Sequence, residues 1–305
     1  MGNLKLSKED KRKAVKRRRR FGDRKEGRKL RSLHPLNAVA CYIMNDRTGS
    51  TNYIKDSVEI SRVERYISKK RQEGLKGLGF LHVFIAMYVR VVSQLPGINR
   101  FVSGQKVYAR NNIEVALAIK KEMKLDAMET IIKIECTPTD TIYDIYRKLN
   151  EQVELNRAQG DVSDFDSVAR FFHYIPGLML KFAVFILRIM DYFDLIPRSL
   201  TKLSPFHGSL FITSMGSLGI PPIYHHLYSF GNVPLFLAYG AKRKAYEMRK
   251  DGTIAERKYI DYAVSSDERI CDGHYLATAL KFWKDCFKHP EILDTPPETV
   301  VEDID

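Results

Sequence analysis

Cysteine is scarce in this chain of 305 residues, and its four cysteines stand far apart without any CxxC pair: Cys41, Cys136, Cys271 and Cys286. That spacing argues against a disulfide framework and a zinc site, and it indicates reduced thiols in a cytoplasm. No apolar stretch follows the charged N-terminus, so a secretory signal is not predicted. Walker and GxGxxG loops are also absent from the sequence, which excludes the commonest nucleotide-binding motifs.

Acidic residues are few at the N-terminus, where basic residues are concentrated. Residues 1–31 contain 15 Lys or Arg against four acids, a net charge of +11 out of +13 for the whole chain. We expect a flexible basic arm that contacts an anionic membrane surface or nucleic acid, or that stays solvated. Aromatic residues do not alternate with these charges, so nucleic acid is the weaker expectation.

The remaining chain is nearly neutral and is predicted to form one α/β domain over residues 32–293, followed by an acidic tail over residues 294–305. Short apolar or alternating runs predict strands, and longer apolar or amphipathic runs predict helices. The mixture of the two along the whole chain indicates the α/β class.

Particular segments give particular expectations. Leu36–Met44 is short and apolar and predicts a buried strand, whereas the apolar run Gly79–Leu95 is long enough for a buried helix. Ser61 and Glu64 have the spacing of a capping box at the start of another helix.

Residues from about 160 to 204 form an unusual apolar stretch. Between Leu178 and Phe193 only Lys181, Arg188 and Asp191 carry charge. Three readings are open: a buried helix hairpin, a hydrophobic channel for an acceptor, or a surface that faces a membrane. A true bilayer span is not expected, because charges are costly at the centre of a membrane.

Two motifs carry a family resemblance. The first is Asp267-Glu268-Arg269-Ile270-Cys271-Asp272-Gly273, which follows a predicted strand and precedes an amphipathic helix. The second is Phe211-Ile212-Thr213-Ser214-Met215-Gly216-Ser217-Leu218-Gly219, a strand with a hydroxyl residue before a glycine loop. They resemble the catalytic domain of 2-oxo acid dehydrogenase acyltransferases (E2), which shares its fold with chloramphenicol acetyltransferase. The resemblance covers about 33–156 and 206–293, so the stretch between them looks like an insertion.

The resemblance implies roles for three residues. Thr213 takes the place of the hydroxyl that stabilises an oxyanion. Asp272 takes the place of an aspartate that holds the loop through an ion pair with an arginine. Glu268 stands where the family has its catalytic histidine, the general base. An ordinary carboxyl group, with a pKa of about 4.3, is a poorer base than histidine, and only burial would correct this.

Other residues near these motifs are weaker candidates for the base or nucleophile. His274 begins the helix after the motif, and His207 and the pair His225-His226 lie close to the Thr213 segment. Cys271 lies within the motif, where packing in the core is the expected role.

The sequence therefore predicts an α/β protein with the chloramphenicol acetyltransferase-like fold that uses coenzyme A or acyl-CoA as substrate and needs no metal. If active, it transfers an acyl group to a hydroxyl, amine or thiol acceptor. The resemblance further implies a homotrimer with the site between subunits. The alternative is an inactive protein that keeps the fold for binding or assembly. We expect a cytoplasmic location, with peripheral membrane attachment as an option.

Overall fold

The computed structural model describes residues 19–120, 129–158 and 173–305. The strands are β1 (Gly27–Lys29), β2 (Thr51–Glu59), β3 (Phe101–Ser103), β4 (Lys106–Arg110), β5 (Ile113–Lys120), β6 (Glu129–Cys136), β7 (Leu210–Ser214), β8 (Leu235–Met248) and β9 (Ile254–Asp267). The α-helices are α1 (Pro35–Ile43), α2 (Ser61–Gln72), α3 (Phe80–Gln94), α4 (Ile142–Ala158), α5 (Gly177–Tyr192), α6 (Arg198–Leu203) and α7 (Gly273–Lys288).

A mixed sheet of six strands forms the centre of the molecule, in the order β2-β9-β8-β7-β5-β6. The neighbours β5–β7 and β7–β8 are parallel, and the other pairs are antiparallel. A smaller sheet, β1-β4-β3, packs beside it. Helices α2, α3, α4 and α7 cover one face of the large sheet, and their apolar side chains form the main core with it.

Helix α3 shows how the sequence determines this core. Twelve of its residues are buried, as the long apolar run predicts. Gly79 precedes the helix, and its N–H donates to Nδ1 of His82 at 3.1 Å. Pro96 follows Leu95 and starts a separate 3₁₀ turn, so the helix ends there.

Two local predictions are wrong. Leu36–Met44 is not a strand, because Pro35 occupies the first helical position and His34 caps the helix by accepting the Leu36 N–H at 3.3 Å. The capping box at Ser61 does not form, since Glu64 instead pairs with Lys242 and Lys258 across the surface.

The described part of the basic arm is folded, which corrects the expectation of a flexible arm over residues 1–31. Residues 27–29 form β1 and pair with β4, and residues 19–25 pack beside the end of α5. The charges explain this, because Arg31 pairs with Asp23 and Arg28 pairs with Asp305. Residues 1–18 lie outside the described residues.

The apolar insertion does not form a buried helix hairpin in its described part. Helix α5 has no buried residue, although most of its side chains are apolar. The short helix α6 follows and leads to β7. The first part of the insertion, residues 159–172, lies outside the described residues.

Candidate active site

The turn after β9 presents Glu268 to solvent. Strand β9 ends at Asp267, and the backbone N–H of Glu268 donates to the Ser50 carbonyl at 2.9 Å. The Glu268 side chain is exposed, whereas the residues on both sides of it are buried. A single chain therefore holds the position of Glu268 firmly but does not shield its carboxylate from water.

A buried ion pair fixes this turn. Arg269 donates to both carboxylate oxygens of Asp267, at 2.8 and 2.9 Å, and Arg47 Nε lies 3.4 Å from the same group. A third bond joins Arg269 to the Met44 carbonyl at the end of α1. Two-pronged pairing of this kind restricts the turn, so the direction of Glu268 is set by its neighbours. The sequence analysis missed this pair, although its signal, Asp-x-Arg, lies within the motif.

Asp272 stabilises the start of helix α7. Its side chain accepts the backbone N–H of Tyr275 at 2.8 Å, the usual bond of an N-cap aspartate. The ion pair with an arginine that was expected for Asp272 is formed instead by Asp267, because Asp272 faces solvent and Asp267 faces Arg269. Asp272 thus organises the end of the loop through a helix cap.

Two other reactive side chains of this segment, Cys271 and His274, are not in positions that suit a catalytic role. Cys271 is buried, and burial raises the pKa of its thiol to about 12, so the thiol stays protonated at neutral pH. His274 lies in the first turn of α7 and is exposed. Neither residue is placed to act as a base within this turn.

Thr213 lies on β7, on the sheet face opposite the main core. Alternation along the strand puts it on the same face as Phe211, which packs with Phe236 in a second apolar cluster. Thr213 is partly exposed. The next loop folds back on the sheet at Gly240, where an added Cβ would lie 2.7 Å from Pro222.

Thr213 and Glu268 are far apart in one chain. Across the sheet, Thr213 on β7 pairs with Ala238 on β8, and Ala238 pairs with Ala263 on β9. Along the chain, Glu268 lies five residues after Ala263. Strand geometry gives roughly 16 Å along the sheet and about 10 Å across it, hence a separation of about 19 Å. No single acyl group contacts both side chains at this distance, so a site that uses both requires two copies of the chain.

His225 lies over β8, the strand next to the one that carries Thr213. Its ring stacks on Phe236 at 3.9 Å, and its carbonyl accepts a hydrogen bond from Ser265. Nδ1 bonds to the His226 carbonyl at 2.7 Å, and because a carbonyl only accepts, the proton resides on Nδ1. Burial lowers the pKa of His225, which favours the neutral imidazole. Phe236 pairs with Phe211, so one strand spacing and two residues, about 8 Å, separate this level from Thr213.

His207 has a structural role. It is buried just before β7, and its two ring nitrogens bond to Ser204 at 2.9 Å and to Asp191 at 3.0 Å. These contacts join the end of α5 to the start of β7. With both nitrogens engaged, His207 is not placed to act as a base.

An apolar helix face lies beside the Glu268 turn. Helix α1 leads to Met44, whose carbonyl receives Arg269, and only Cys41 of the helix is buried. Three of its side chains, spaced as one face, are mostly exposed: Leu36 (69%), Val39 (51%) and Ile43 (73%). We call these three residues the α1 face. The sequence did not predict the α1 face, because Leu36–Met44 was interpreted as a buried strand of the core.

A surface cleft lies away from Thr213 and Glu268, and the described residues contain no metal-binding cluster. A surface cleft of about 430 Å³ lies between α2, α3 and β8, and neither Thr213 nor Glu268 lines it. Over residues 19–120, 129–158 and 173–305, no group of three or more His, Cys, Asp or Glu is arranged to hold a metal ion.

Comparison with known proteins identifies the fold. A probable dihydrolipoamide acetyltransferase from Listeria monocytogenes 4b F2365 superimposes with a TM-score of 0.53 and 17% identity, over 84% of this chain and 94% of that one. A truncated catalytic core of the 2-oxoacid dehydrogenase multienzyme complex from Thermoplasma acidophilum gives 0.51 and 12%, over 86% and 99%. A chloramphenicol acetyltransferase gives 0.48 and 13%, over 82% and 92%.

These likenesses are structural. No protein-family model matches the sequence, and no curated protein does so either. The chain has the α/β fold of E2 catalytic domains, which confirms the fold expected from the sequence.

Proposed function

We propose that the protein is a CoA-dependent acyltransferase whose active site forms between copies of the chain in a homotrimer. The Thr213 hydroxyl of one copy and the Glu268 carboxylate of another would face the same acyl thioester. The observation that carries this proposal is the pairing of an acyltransferase fold with family-like motifs at these two positions. Their separation of about 19 Å in one chain is what a site shared between copies requires.

The reaction would proceed by direct attack. Glu268 removes the proton from the acceptor O–H, N–H or S–H as the acceptor atom bonds to the thioester carbonyl carbon. Thr213 donates a hydrogen bond to the oxyanion that forms. When the intermediate collapses, the carbon–sulfur bond breaks, and the thiol of coenzyme A leaves with the proton from Glu268.

The α1 face explains how Glu268 could become an effective base. A carboxylate removed from water holds a proton more strongly, and one chain leaves Glu268 exposed. Because α1 joins the Glu268 turn through Met44, a copy that docks on the α1 face would also cover this carboxylate. Assembly and base strength would then depend on the same contact.

The second candidate is an inactive protein that keeps the fold for binding or assembly. One observation favours it: the position of the catalytic histidine is occupied by an exposed glutamate. In that case the Glu268 side chain has no chemical role, and its replacement leaves every measured property unchanged.

Calorimetric titration with acetyl-CoA separates the two candidates, together with an assay of CoA release that uses dihydrolipoamide and chloramphenicol as acceptors. We expect micromolar binding by the native protein. Glu268→Gln should bind within a few-fold of native but lose about 10²- to 10⁴-fold in CoA release, the usual contribution of a general base. Glu268→His should retain activity or raise it.

Glu298→Gln is the matched control, because Glu298 is exposed and lies in the C-terminal segment. It should behave as the native protein. Absence of acetyl-CoA binding, together with equal behaviour of both glutamine variants, would reject the enzymatic proposal and support the inactive one.

A further inference from the structure

Helix α5 presents an apolar face that no other described residue covers. Leu178, Phe182, Phe185 and Ile189 follow one another at the spacing of a single helix face, and the first three are 86%, 65% and 56% exposed. We call these four residues the α5 face. On the other side of the helix, Ala183, Leu187 and Met190 are partly buried. Helix α5 therefore leaves one apolar side outward.

Cations border this face. Lys181 and Arg188 are seven residues apart and lie along one edge of the α5 face, both exposed. Basic residues at the edge of an apolar helix face are typical of helices that lie in a membrane interface, where their long stems reach the headgroups. At about 24 Å, the helix is shorter than the hydrocarbon core of a bilayer, about 30 Å, and suits a position parallel to the surface.

The basic arm emerges at the end of this helix. The backbone N–H of Lys25 donates to Asp194 at 2.9 Å, and its ammonium donates to the Ile196 carbonyl at 2.9 Å. Arg24 donates to the Tyr192 carbonyl, and Arg19 lies 3.6 Å from Asp194. These contacts fix the chain beside the C-terminal end of α5.

Two exposed cations of the described chain lie near the C-terminal end of α5. The Arg19 and Arg20 side chains are 61% and 59% exposed, although each has an acidic neighbour. An anionic lipid surface is complementary to both features, since it offers phosphates to the cations and acyl chains to the α5 face. A second copy that docked through the same surface would bring its own Lys181 and Arg188 against these cations.

We propose that the α5 face and the basic segment around residues 19–25 dock the protein on an anionic lipid surface. The face would enter the boundary between headgroups and acyl chains. Lys181, Arg188 and the basic segment around residues 19–25 would contact lipid phosphates. The docking would place the body against the membrane whether or not the protein transfers acyl groups, so this proposal does not depend on the proposed function.

Vesicle flotation of the full chain tests the proposal. The probes are vesicles of phosphatidylcholine alone and vesicles with about 30% phosphatidylserine or phosphatidylglycerol, in 50 and 300 mM NaCl. We expect binding to anionic vesicles in 50 mM NaCl, weaker binding in 300 mM NaCl and little binding to phosphatidylcholine, because salt screens the attraction to lipid phosphates. Equal binding to every vesicle, or none to anionic vesicles, would overturn the proposal.

Variants locate the surface. Phe182→Ser/Phe185→Ser should lower binding at least tenfold, and Arg19→Gln/Arg20→Gln should lower it several-fold. The matched controls are Leu155→Ser/Val300→Ser, which removes two exposed apolar side chains elsewhere, and Arg249→Gln/Lys250→Gln, which removes two exposed cations from the β8–β9 hairpin. Both should bind as the native protein does.

Two further measurements keep the interpretation specific. Thermal melting should show that each variant is folded, because the replaced side chains are exposed. Light scattering gives the mass of each variant in solution. A change of mass in Phe182→Ser/Phe185→Ser without a change in vesicle binding would assign the α5 face to a contact between copies and reject membrane docking.

Discussion

Asp267 is completely buried, and its carboxylate lies between two arginines that are themselves buried. Buried charges are stable only when they are paired, because an unpaired buried charge loses its hydration and gains no interaction in return. This set lies directly beside Glu268 and below α1. At the scale of residues, the turn is therefore organised by groups that do not themselves face a substrate.

Asp267→Asn tests this role. The variant leaves Arg47 and Arg269 without their buried counter-charge, and we expect it to lower the free energy of unfolding by about 3–5 kcal/mol. Urea titration measures the change.

The control for this variant is Asp261→Asn, which breaks a surface pair with Arg243. It should cost less than about 1 kcal/mol. Equal losses in the two variants would show that the Asp267 pair contributes no more than a surface pair.

At the scale of elements, the sequence identified most helices and strands by period and length. The helix over Gly79–Leu95 is confirmed because burial and periodicity agree there. The prediction failed for α1, since apolar residues were taken as a sign of the core, whereas the α1 face is exposed. From one sequence, apolar residues that belong to the core cannot be distinguished from apolar residues that lie on an exposed helix face.

The candidate site shows the same limit. The structure places Thr213 near the end of β7 and Glu268 just after β9, and their catalytic roles stay predictions. Their separation follows only from the strand register, which depends on long-range pairing that no local pattern encodes. The folding of residues 19–31 was missed for the same reason, because β1 pairs with β4 and two acidic partners of this segment, Asp194 and Asp305, are distant in sequence.

Strand β1 depends on a buried carboxylate that precedes it. Burial of Glu26 opposes ionisation, but the Arg110 guanidinium and the Asn232 amide outweigh it and lower the pKa of Glu26 to about 2. A pKa that is lower in the folded than in the unfolded state adds stability above the unfolded value, about 4.5. That stability is lost as the pH falls from about 4.5 towards 2.

We therefore expect a loss of about 3 kcal/mol of unfolding free energy from this group on acidification, which is about 2.5 units at 1.36 kcal/mol each. Urea titrations of the native protein between pH 6 and pH 3 should show the decline. Glu26→Gln should be less stable at pH 6 and should show a smaller decline. A variant with the same pH dependence as native would contradict this assignment.

At the scale of the whole molecule, the α1 face and the separated site residues favour assembly. A trimer would have a mass of about 106 kDa, three times the 35.2 kDa of one chain. We expect light scattering to give this value and Leu36→Ser/Ile43→Ser to shift it towards 35.2 kDa, because two exposed apolar contacts are removed from the α1 face.

Leu155→Ser/Val300→Ser is the control and should keep the native mass. If the native protein is a single chain at micromolar concentration, the shared site is rejected. A trimer that the α1 variant leaves unchanged would place the contact elsewhere.

The membrane-facing helix and the exposed α1 face belong to different parts of the same chain. Among the described helices, none is long and apolar enough to cross a bilayer. The α1 face lies beside the candidate base, and the α5 face lies beside the basic segment around residues 19–25. Assembly and docking can therefore be disabled by separate substitutions.

The contacts of β1 with residues 303–305 join two segments that lie far apart in sequence. Arg28 bonds to the carbonyls of Asp303 and Ile304, and Arg100 pairs with Asp303. A bulky group attached within residues 303–305 would compete with Arg28 for these carbonyls. A tag placed there would therefore disturb the strand that follows the basic segment, although the two positions are remote in the sequence.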